Sequence, residues 1–403
     1  MRKNTIHKKL REISGGVCAP VGFKANGVHS GISRNVEKKD LALVSADRRC
    51  PTACVFSANS AQSAPARVSK KHLKNGIARA MLVNSGIANV FLENGEWLAE
   101  KICRVLASRS DIEVKETLLA STGKVGEALL LDPFEKGIPL LVRGLSDTEE
   151  GSLAAAQAIM TTDKEPKQVA FEFDLGDFPC KIGAIYKGTT RVCPNMATTL
   201  AILTIDVNIS PEMLQKALVS AVKDTFNLIC IDGISSPNDT VCIMANGKAG
   251  NYKISCEDTE YAKFMYALKE ALTEICRRIV QDGDKENRAL VCKVTGAKSK
   301  QVARVLAKRL VCAQNLKSML ANRTFEAVNL LYEVNAVAED TDFLKLQLSI
   351  GTQFKTHVVF EDGRPIALKK EVIENLFTER EIIVMVALSG GNFGAISFGC
   401  ITQ

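Results

Sequence analysis

The strongest constraint on the fold is a largely apolar run, Leu200 to Val207, near the middle of a 403-residue chain. Turn-forming residues precede it, with Lys187-Gly188 first and Pro194-Asn195 closer to the run. An apolar stretch of this length that follows a turn signal is typical of a buried strand. The sequence therefore predicts a buried strand at the centre of the chain.

Strand patterns alternate with single amphipathic helices over the rest of the chain. Extended segments are predicted at 39–45, 53–59, 64–68, 78–86 and 116–121, with a hairpin of 170–175 and 180–186. Helices are predicted at 95–109, 152–160, 258–280 and 300–311, and after Ser210-Pro211, a good helix start. Strands dominate the remainder, at 344–350, 357–360 and 382–388. This mixture predicts an α/β (α+β layered) fold with helices packed on mixed sheets.

Composition excludes several classes of function. With 46% hydrophobic and 24% charged residues, the chain can bury a sizeable core, and no apolar run is long enough for a transmembrane helix. Thirteen scattered cysteines without a CxxC pair indicate reduced thiols in the cytoplasm, and four isolated histidines argue against a metal site. The net charge of +7 is spread among acidic residues, which predicts no nucleic-acid surface but could help to gather acidic substrates. The basic segment 1–12 lacks the apolar core of a signal peptide, although a short transit peptide stays an alternative.

The pair Ala197-Thr198 stands directly before the predicted central strand. A peptide bond between a small residue and Thr can break itself, and the freed Thr then carries a hydroxyl nucleophile and its own base, the new α-amine. However, most Thr residues at strand starts only form local hydrogen bonds. These residues alone leave both interpretations open.

Two further polar turns follow or precede predicted strands. Thr122-Gly123 follows the strand at 116–121, and such a turn can present a hydroxyl and a backbone N–H at one point, as an oxyanion hole requires. Asn238-Asp239 lies in a polar loop between two apolar strands, which suits binding. A plain tight turn explains each of them equally well.

Many short blocks follow one another along most of the chain. They are Ala-Pro-x-Gly-Phe and Gly-Val-x-x-Gly-Ile within 19–32, Lys39 to Leu43, Val55 to Asn59, Val83 to Asn89, Ser121 to Glu127, Ala158 to Asp163, Pro194 to Thr198 with Lys187-Gly188 before it, and Asn238 to Val241. In this order the blocks resemble the ornithine acetyltransferase (glutamate N-acetyltransferase) family. Chance does not produce so many independent blocks in one order. The chain is identified as a divergent member of this family.

The resemblance implies a self-cleaving fold with an N-terminal Thr nucleophile. Cleavage between Ala197 and Thr198 would give an α chain (1–197) and a β chain (198–403), with a smaller strand-rich lobe from about residue 290. Thr198 would take the acetyl group of N-acetylornithine and pass it to glutamate, in arginine biosynthesis, by a ping-pong exchange. No metal or cofactor is implied, although acetyl-CoA stays open as an alternative acetyl donor. The expected assembly is a cytoplasmic heterotetramer of two α and two β chains.

The same resemblance implies roles for residues around the nucleophile. Thr122 and the N–H of Gly123 would stabilise the oxyanion, and an α-amine suits a general base because its ordinary pKa is close to neutral. Substrate would be held by Thr161, or by Thr162 as an alternative, and by Lys187 as a carboxylate partner. Asn238 and Asp239 would support the site from behind these residues.

The segments expected to recognise the substrate depart from the family pattern. Where the family has Asp-Gly-Glu-Gly-Ala-Thr-Lys, this chain has Asp282 to Arg288, so Asp284 replaces the substrate-binding Glu with a shorter side chain, and Glu286 is the alternative. The family's Asp-x-Asn-Trp-Gly-Arg block is replaced near 322–327, the loop at 189–193 is altered, and the family's C-terminal Asn and Thr are missing. Because specificity is differential binding, another substrate stays an alternative, as does a non-catalytic paralogue.

Overall fold

The computed structural model describes residues 10–189, 199–232 and 236–402. Contacts within the chain define two compact units. The first consists of Met1–Lys187, Asn195–Val222 and Ser236–Ile275, and the second of Gly188–Pro194, Lys223–Ser235 and Cys276–Gln403. Each unit builds its own sheet.

The first unit contains a sheet of nine strands among the described residues. They are β1 (Arg11–Ile13), β2 (Phe23–Val28), β3 (Leu41–Phe56), β4 (Ile77–Asn84), β5 (Thr117–Ser121), β6 (Lys167–Leu175), β7 (Phe178–Lys187), β8 (Leu200–Ile205) and β9 (Thr240–Ala245). Their order across the sheet is β1-β6-β7-β8-β9-β3-β4-β5, and β2 pairs with β3 at the side of this path.

The central strand β8 confirms the prediction from the apolar run. All six of its residues are buried, and it pairs antiparallel with β7 and parallel with β9. The hairpin of β6 and β7 is confirmed as well, and it turns at Gly176, which adopts a φ of +58°. Both edges of β8 are therefore hydrogen-bonded to neighbouring strands.

The long strand β3 belongs to both halves of the sheet, one made of β1 and β6 to β9 and the other of β2, β4 and β5. Its register with β4 shifts between Ser45 and Cys50, so that its first part pairs with β2 and β4 and its last residues, from Thr52, pair with β9. A shift of this kind bends a strand. The two strands predicted at 39–45 and 53–59 are therefore the two ends of one bent strand.

A buried core joins the two halves of the sheet. It contains apolar side chains from both halves and from a helix, among them Val44, Met81, Ile202, Met244 and Ala155. Burial of each of the Val, Met and Ile side chains contributes about 1.5–3 kcal/mol. This core fixes the strand ends from which the candidate site is built.

Six α-helices begin within the described residues of the first unit. They are α1 (Ala64–His72), α2 (Gly95–Arg109), α3 (Asp132–Arg143), α4 (Glu149–Ala158), α5 (Pro211–Asp224) and α6 (Thr259–Gly283). The strand predicted at 64–68 is wrong, because the Ser63 side chain caps α1 and Pro65 suits its first turn. The helix predicted after Ser210 is confirmed, with the Ser210 hydroxyl accepting from Met213 N. None of the described helices has the length and apolar character that a bilayer crossing requires.

The second unit contains a six-stranded sheet in the part of the chain that the structure describes. Its strands are β10 (Ala289–Ala297), β11 (Gln347–Gly351), β12 (Thr356–Glu361), β13 (Arg364–Pro365), β14 (Glu381–Ala387) and β15 (Phe393–Gly399), in the order β13-β12-β11-β14-β10-β15. The predicted helix at 300–311 is α7 (Lys300–Cys312). Three short helices were not predicted: α8 (Gln314–Ala321), α9 (Val328–Asn335) and α10 (Lys370–Leu376).

Candidate active site

The end of β7 brings three of the predicted site residues together. Lys187, the last residue of β7, is only 5% exposed. Its Nζ donates to the hydroxyl of Thr122 at 3.3 Å and to the hydroxyl of Thr161. Thr161 therefore contacts Lys187 directly, while substrate binding by Thr161, or by its alternative Thr162, stays a prediction.

The turn at Thr122-Gly123 is fixed by its backbone. Thr122 N donates to the carbonyl of Asn84 at 2.9 Å, and Gly123 adopts a φ of +128°. A Cβ at Gly123 would lie 2.3 Å from the carbonyl of Gly86, so only glycine fits here. The turn is therefore a tight one that requires glycine, and its role in stabilising an oxyanion stays a prediction.

Asp163 is the buried counter-ion of this cluster. Its carboxylate lies 2.7 Å from Lys167 Nζ and 3.9 Å from Lys187 Nζ, and it accepts from Thr161 N at 3.0 Å. Burial raises the pKa of Asp163, but the two ammonium groups outweigh it and hold the pKa below its ordinary value. The carboxylate is thus negative and locks Thr161 and Lys187 in place.

The electrostatics of the cluster favour an anion. Burial lowers the pKa of Lys187, the carboxyl groups of Asp163 and Asp239 oppose this, and Lys167 and Lys38 lower it further. With Lys187 itself included, the charged groups of the described residues that act here are three ammonium groups and two carboxyl groups. An excess of positive charge in a place of low dielectric stabilises a bound carboxylate or a developing oxyanion.

Asn238 supports the oxyanion turn from the start of β9. With its amide oriented to satisfy both of its groups, the side-chain nitrogen donates to the carbonyl of Ser121 at 3.2 Å and to that of Ala88 at 2.9 Å. Ser121 directly precedes Thr122. Asn238 therefore ties β9 to the strand end that carries the predicted oxyanion group.

Asp239 holds the entry to β8. Its Oδ1 accepts from Thr199 N at 2.6 Å, and the neighbouring Thr240 N donates to Thr199 O at 3.1 Å. Burial raises the pKa of Asp239 well above its ordinary value, although the N–H groups of Thr199 and Ser236 and the charge of Lys187 act in the other direction. Asp239 thus fixes the backbone of the residue that follows the predicted nucleophile.

The predicted cleavage site, Ala197 and Thr198, lies outside the described residues. The strand register nevertheless defines the edge at which the chain enters the sheet, because Leu200 pairs with Lys187 on one side and with Thr240 on the other. The ends of β7 and the starts of β8 and β9 therefore share one edge. The division into chains at 197 and 198, like the role of Thr198, stays a prediction.

Asp284 belongs to the second unit and has different surroundings from those expected. It is fully buried, and its two carboxylate oxygens accept from the backbone N–H groups of Glu286, Arg288, Ile401 and Thr402 and from the Thr402 hydroxyl. Five donors on one carboxylate favour a structural role that anchors the segment at 401–402. Substrate binding by Asp284 stays a prediction. The alternative, Glu286, pairs with Arg288 Nη2 at 2.9 Å.

No role was predicted for Asp163 and Lys167, which complete the cluster. Asp163 ends a block that carries the family resemblance, and Lys167 is the first residue of β6, so an acidic and a basic residue both precede the strand predicted at 170–175. The opposite charges of Asp163 and Lys167, four residues apart, were the feature of the sequence that could have predicted this ion pair. Across the described ranges, no three His, Cys, Asp or Glu side chains form a group that could hold a metal ion.

Comparison with known proteins covers almost the whole chain. A family model described as ArgJ family matches residues 24–401. The arginine biosynthesis bifunctional protein ArgJ of Caldanaerobacter subterraneus subsp. tengcongensis is 33% identical over 393 residues, 96% of each chain. The protein of the same name from Symbiobacterium thermophilum is 33% identical over 391 residues, again 96% of each.

A solved structure with a similar sequence also matches part of the chain. Ornithine acetyltransferase from Mycobacterium tuberculosis, complexed with ornithine, is 29% identical, with a TM-score of 0.43. The match covers 48% of this chain and 100% of that one. On the evidence of the family match over residues 24–401 and of relatives 33% identical over nearly their full length, this chain belongs to the ArgJ family.

Proposed function

We propose that this chain transfers an acetyl group from N-acetylornithine to glutamate, in arginine biosynthesis, through an acetyl ester on Thr198. Membership of the ArgJ family supports the proposal, as do relatives named arginine biosynthesis bifunctional protein and ornithine acetyltransferase. The observation that carries it is the cluster in which buried Lys187 contacts Thr122 and Thr161 beside the start of β8. This cluster offers hydroxyl groups and positive charge where an acyl group would react.

The first step is hydrolysis of the bond between Ala197 and Thr198. One water is consumed, the C–N bond breaks, and the products are a carboxylate on Ala197 and an ammonium on Thr198. The ammonium must lose a proton before it can act as a base. An ordinary α-amine has a pKa of about 7.7–8.0, so a useful fraction is unprotonated near neutral pH.

The second step forms the ester. The Thr198 hydroxyl attacks the acetyl carbonyl, and the Thr198 amine accepts the hydroxyl proton. Thr122 and the N–H of Gly123 stabilise the resulting oxyanion, a kind of interaction whose loss typically costs about 2.7–4 kcal/mol of barrier. The tetrahedral intermediate collapses as its C–N bond breaks and the proton moves to the leaving nitrogen, which releases ornithine.

The third step returns the enzyme to its start. The α-amine of glutamate attacks the ester, N-acetylglutamate forms, and the Thr198 hydroxyl regains its proton. Lys187 and Thr161 hold the carboxylate of either amino acid, which accords with the excess of positive charge around them. The exchange uses no metal or cofactor, and acetyl-CoA is a possible second acetyl donor to be tested in the same assay.

A second candidate keeps the chemistry but changes the substrate. Asp284, which replaces the family's substrate-binding Glu, already accepts five hydrogen bonds from its own unit. A self-processing acyltransferase or amidohydrolase that acts on an N-acyl amino acid without a side-chain amine would not need this carboxylate. Comparison of N-acetylornithine with N-acetylnorvaline, which lacks the amine, decides between the two.

Mass spectrometry of the denatured protein tests the proposal. The intact chain is 43.7 kDa, and cleavage would replace it with two fragments of nearly equal size. Incubation with N-acetylornithine should then add one acetyl group to the fragment that begins with Thr198. Thr198→Ala should give a single uncleaved chain, and normal processing of that variant would refute the assignment of the nucleophile.

The outcomes separate the parts of the proposal. A full-length mass for the wild type would exclude self-cleavage. A cleaved protein that gains no acetyl group from N-acetylornithine at any concentration would exclude this donor but not the self-processing. We further propose a cytoplasmic heterotetramer of two α and two β chains, which native mass spectrometry would detect directly.

A further inference from the structure

Lys38 is a further cation at the edge of the candidate site. Its Nζ donates to the carbonyl oxygen of Thr161 at 3.1 Å, and Lys187 Nζ donates to the hydroxyl of the same residue. Because both bonds end on Thr161, the two ammonium groups lie no more than about 10 Å apart. Burial lowers the pKa of Lys187 most, and the charge of Lys38 lowers it further. The positive charge of the cluster therefore continues beyond its buried part.

The loop that carries Lys38 is fixed by its own hydrogen bonds. Asp40, which is fully buried, accepts from the backbone N–H groups of Ser30 and Ser33 at 2.6 and 2.8 Å. The ring Nδ1 of His29 lies 2.8 Å from the carbonyl oxygen of Lys38. The backbone of Lys38 is therefore held in place although the residue is exposed. Such a support preorganises the residue for a ligand, which reduces the entropic cost of binding.

The ammonium of Lys38 has capacity for a ligand. Across residues 10–189, 199–232 and 236–402, no carboxylate pairs with it. Lys167 and Lys187 differ in this respect, because both face the buried carboxylate of Asp163. An ammonium has three N–H donors, and the hydrogen bond to the Thr161 carbonyl uses one of them. The other N–H groups can therefore bind an anion.

Burial decreases in steps along this line of contacts. Lys187 is 5% exposed, Thr161 is half-buried, and Lys38 is exposed. In the proposed function, the α-carboxylate of an amino acid lies at Lys187 and Thr161. The side chain of an amino acid held in this way can extend past Thr161 toward the surface, where it meets Lys38.

We propose that Lys38 is a specificity-determining residue that binds the side-chain carboxylate of glutamate, the acetyl acceptor. This inference rests on the proposed function for the position of the α-carboxylate. The two carboxylate carbons of glutamate are four bonds apart, at most about 5 Å, and a charge-assisted hydrogen bond adds about 2.8 Å at each end. A dicarboxylic amino acid can therefore bridge the inner and the outer ammonium group.

The same charge acts against ornithine. The side chain of ornithine ends in an ammonium, which would approach a like charge where glutamate brings an opposite one. Removal of the Lys38 charge should therefore weaken the binding of glutamate but not that of ornithine. A residue with only a structural role would change the binding of both ligands in the same direction.

Isothermal titration calorimetry with L-glutamate and L-glutamine tests the proposal without turnover. The two ligands have nearly the same shape, and only glutamate has a side-chain carboxylate. The purified wild type should bind glutamate about 5-fold more tightly than glutamine, the upper range for an exposed ion pair. Lys38→Gln should bind the two ligands alike, and its affinity for ornithine should not fall. In the wild type the preference should decrease as the salt concentration is raised.

Two further variants serve as controls. Lys39→Gln makes the same charge change at the next residue, which forms no hydrogen bond to Thr161, and it should keep the preference for glutamate. Lys38→Arg keeps the positive charge and should retain most of the preference. Because Lys38 is exposed, both of its variants should melt close to the wild-type temperature.

The outcomes are distinct. A preference for glutamate that survives in Lys38→Gln, or a wild type without this preference, overturns the proposal. Equal weakening of glutamate and glutamine by Lys38→Gln overturns it as well, because Lys38 would then act on the α-carboxylate or on folding. If the preference depends on Lys38 but N-acetylornithine forms no acetyl ester, the donor in the proposed function is wrong and the role of Lys38 stands.

Discussion

Replacement of Asp163 by Asn tests the buried ion cluster most directly. The Asp163 side chain is fully buried, and the Lys167 and Lys187 side chains are only 5% and 6% exposed. The substitution keeps the shape of the side chain but removes a carboxylate that both ammonium groups contact. Two buried cations would then lose the negative charge that they share.

The cost follows from this burial. Loss of one partner of a buried ion pair typically destabilises a protein by 3–5 kcal/mol, because an uncompensated charge stays behind. The amide oxygen of Asn can still accept one hydrogen bond, so the lower end is expected, about 3 kcal/mol. For a unit of this size that corresponds to a decrease in Tm of roughly 6 °C or more.

The pH dependence has a definite sign. The folded pKa of Lys187 lies below its ordinary value, so the unfolded chain binds more protons between these two values and stability rises with pH across that window. Without Asp163 the folded pKa of Lys187 falls further, and deprotonation relieves the strain earlier. The destabilisation should therefore be smaller at pH 9.5 than at pH 7. Because the folded pKa of Asp163 lies below its ordinary value, its contribution in the wild type is also lost as the pH falls below about 3.9.

Thermal and urea unfolding of both proteins at pH 7 and pH 9.5 measures these effects. Asp132→Asn is the control, since Asp132 and Lys136 form a pair with the same spacing of four residues that is mostly exposed, and its loss should change stability by no more than about 0.5 kcal/mol. Equal effects of the two substitutions at pH 7 would refute the reasoning. So would a destabilisation by Asp163→Asn that does not change with pH.

Two further substitutions test the strand ends. Gly123→Ala would place a Cβ 2.3 Å from the backbone of Gly86, so the rate of acetyl-ester formation should fall at least about 100-fold. Cleavage of the variant chain reports whether β5 still folds. An unchanged rate would show that this turn does not shape the oxyanion site. Asp284→Asn should destabilise the second unit by about 2 kcal/mol or more and expose the segment at 401–402 to proteolysis, because one amide cannot accept five hydrogen bonds. A raised KM for N-acetylornithine at unchanged stability would favour substrate binding by Asp284 instead.

The sequence predicted best where the pattern is local. The buried strand β8, the hairpin of β6 and β7 and the helix α2 follow from apolar runs, a Gly turn and helical spacing within one segment. The helices α8, α9 and α10 were missed because they have only seven or eight residues, about two turns, and such a short apolar pattern does not distinguish a helix from a strand.

The site could be predicted only through the family resemblance, because its contacts join distant parts of the chain. The hydrogen bond of Lys187 to Thr122 spans 65 residues, and no local pattern contains both. The surroundings of Asp284 were not predicted for the same reason, since Ile401 lies 117 residues further along the chain. Asp163 had no predicted role because its importance depends on a lysine at the end of another strand.

The order β7-β8-β9-β3 means that a break between Ala197 and Thr198 would divide the sheet in an interleaved way. The first product would contribute β7 and β3, and the second would contribute β8 and β9 between them. Neither product would contain a complete hydrophobic core, so the two could not dissociate without unfolding. Once unfolded, the two pieces would have to find each other by diffusion, and recovery would depend on protein concentration, which is not true of the uncut chain. Self-cleavage would therefore replace a folding reaction within one chain by an association of two chains.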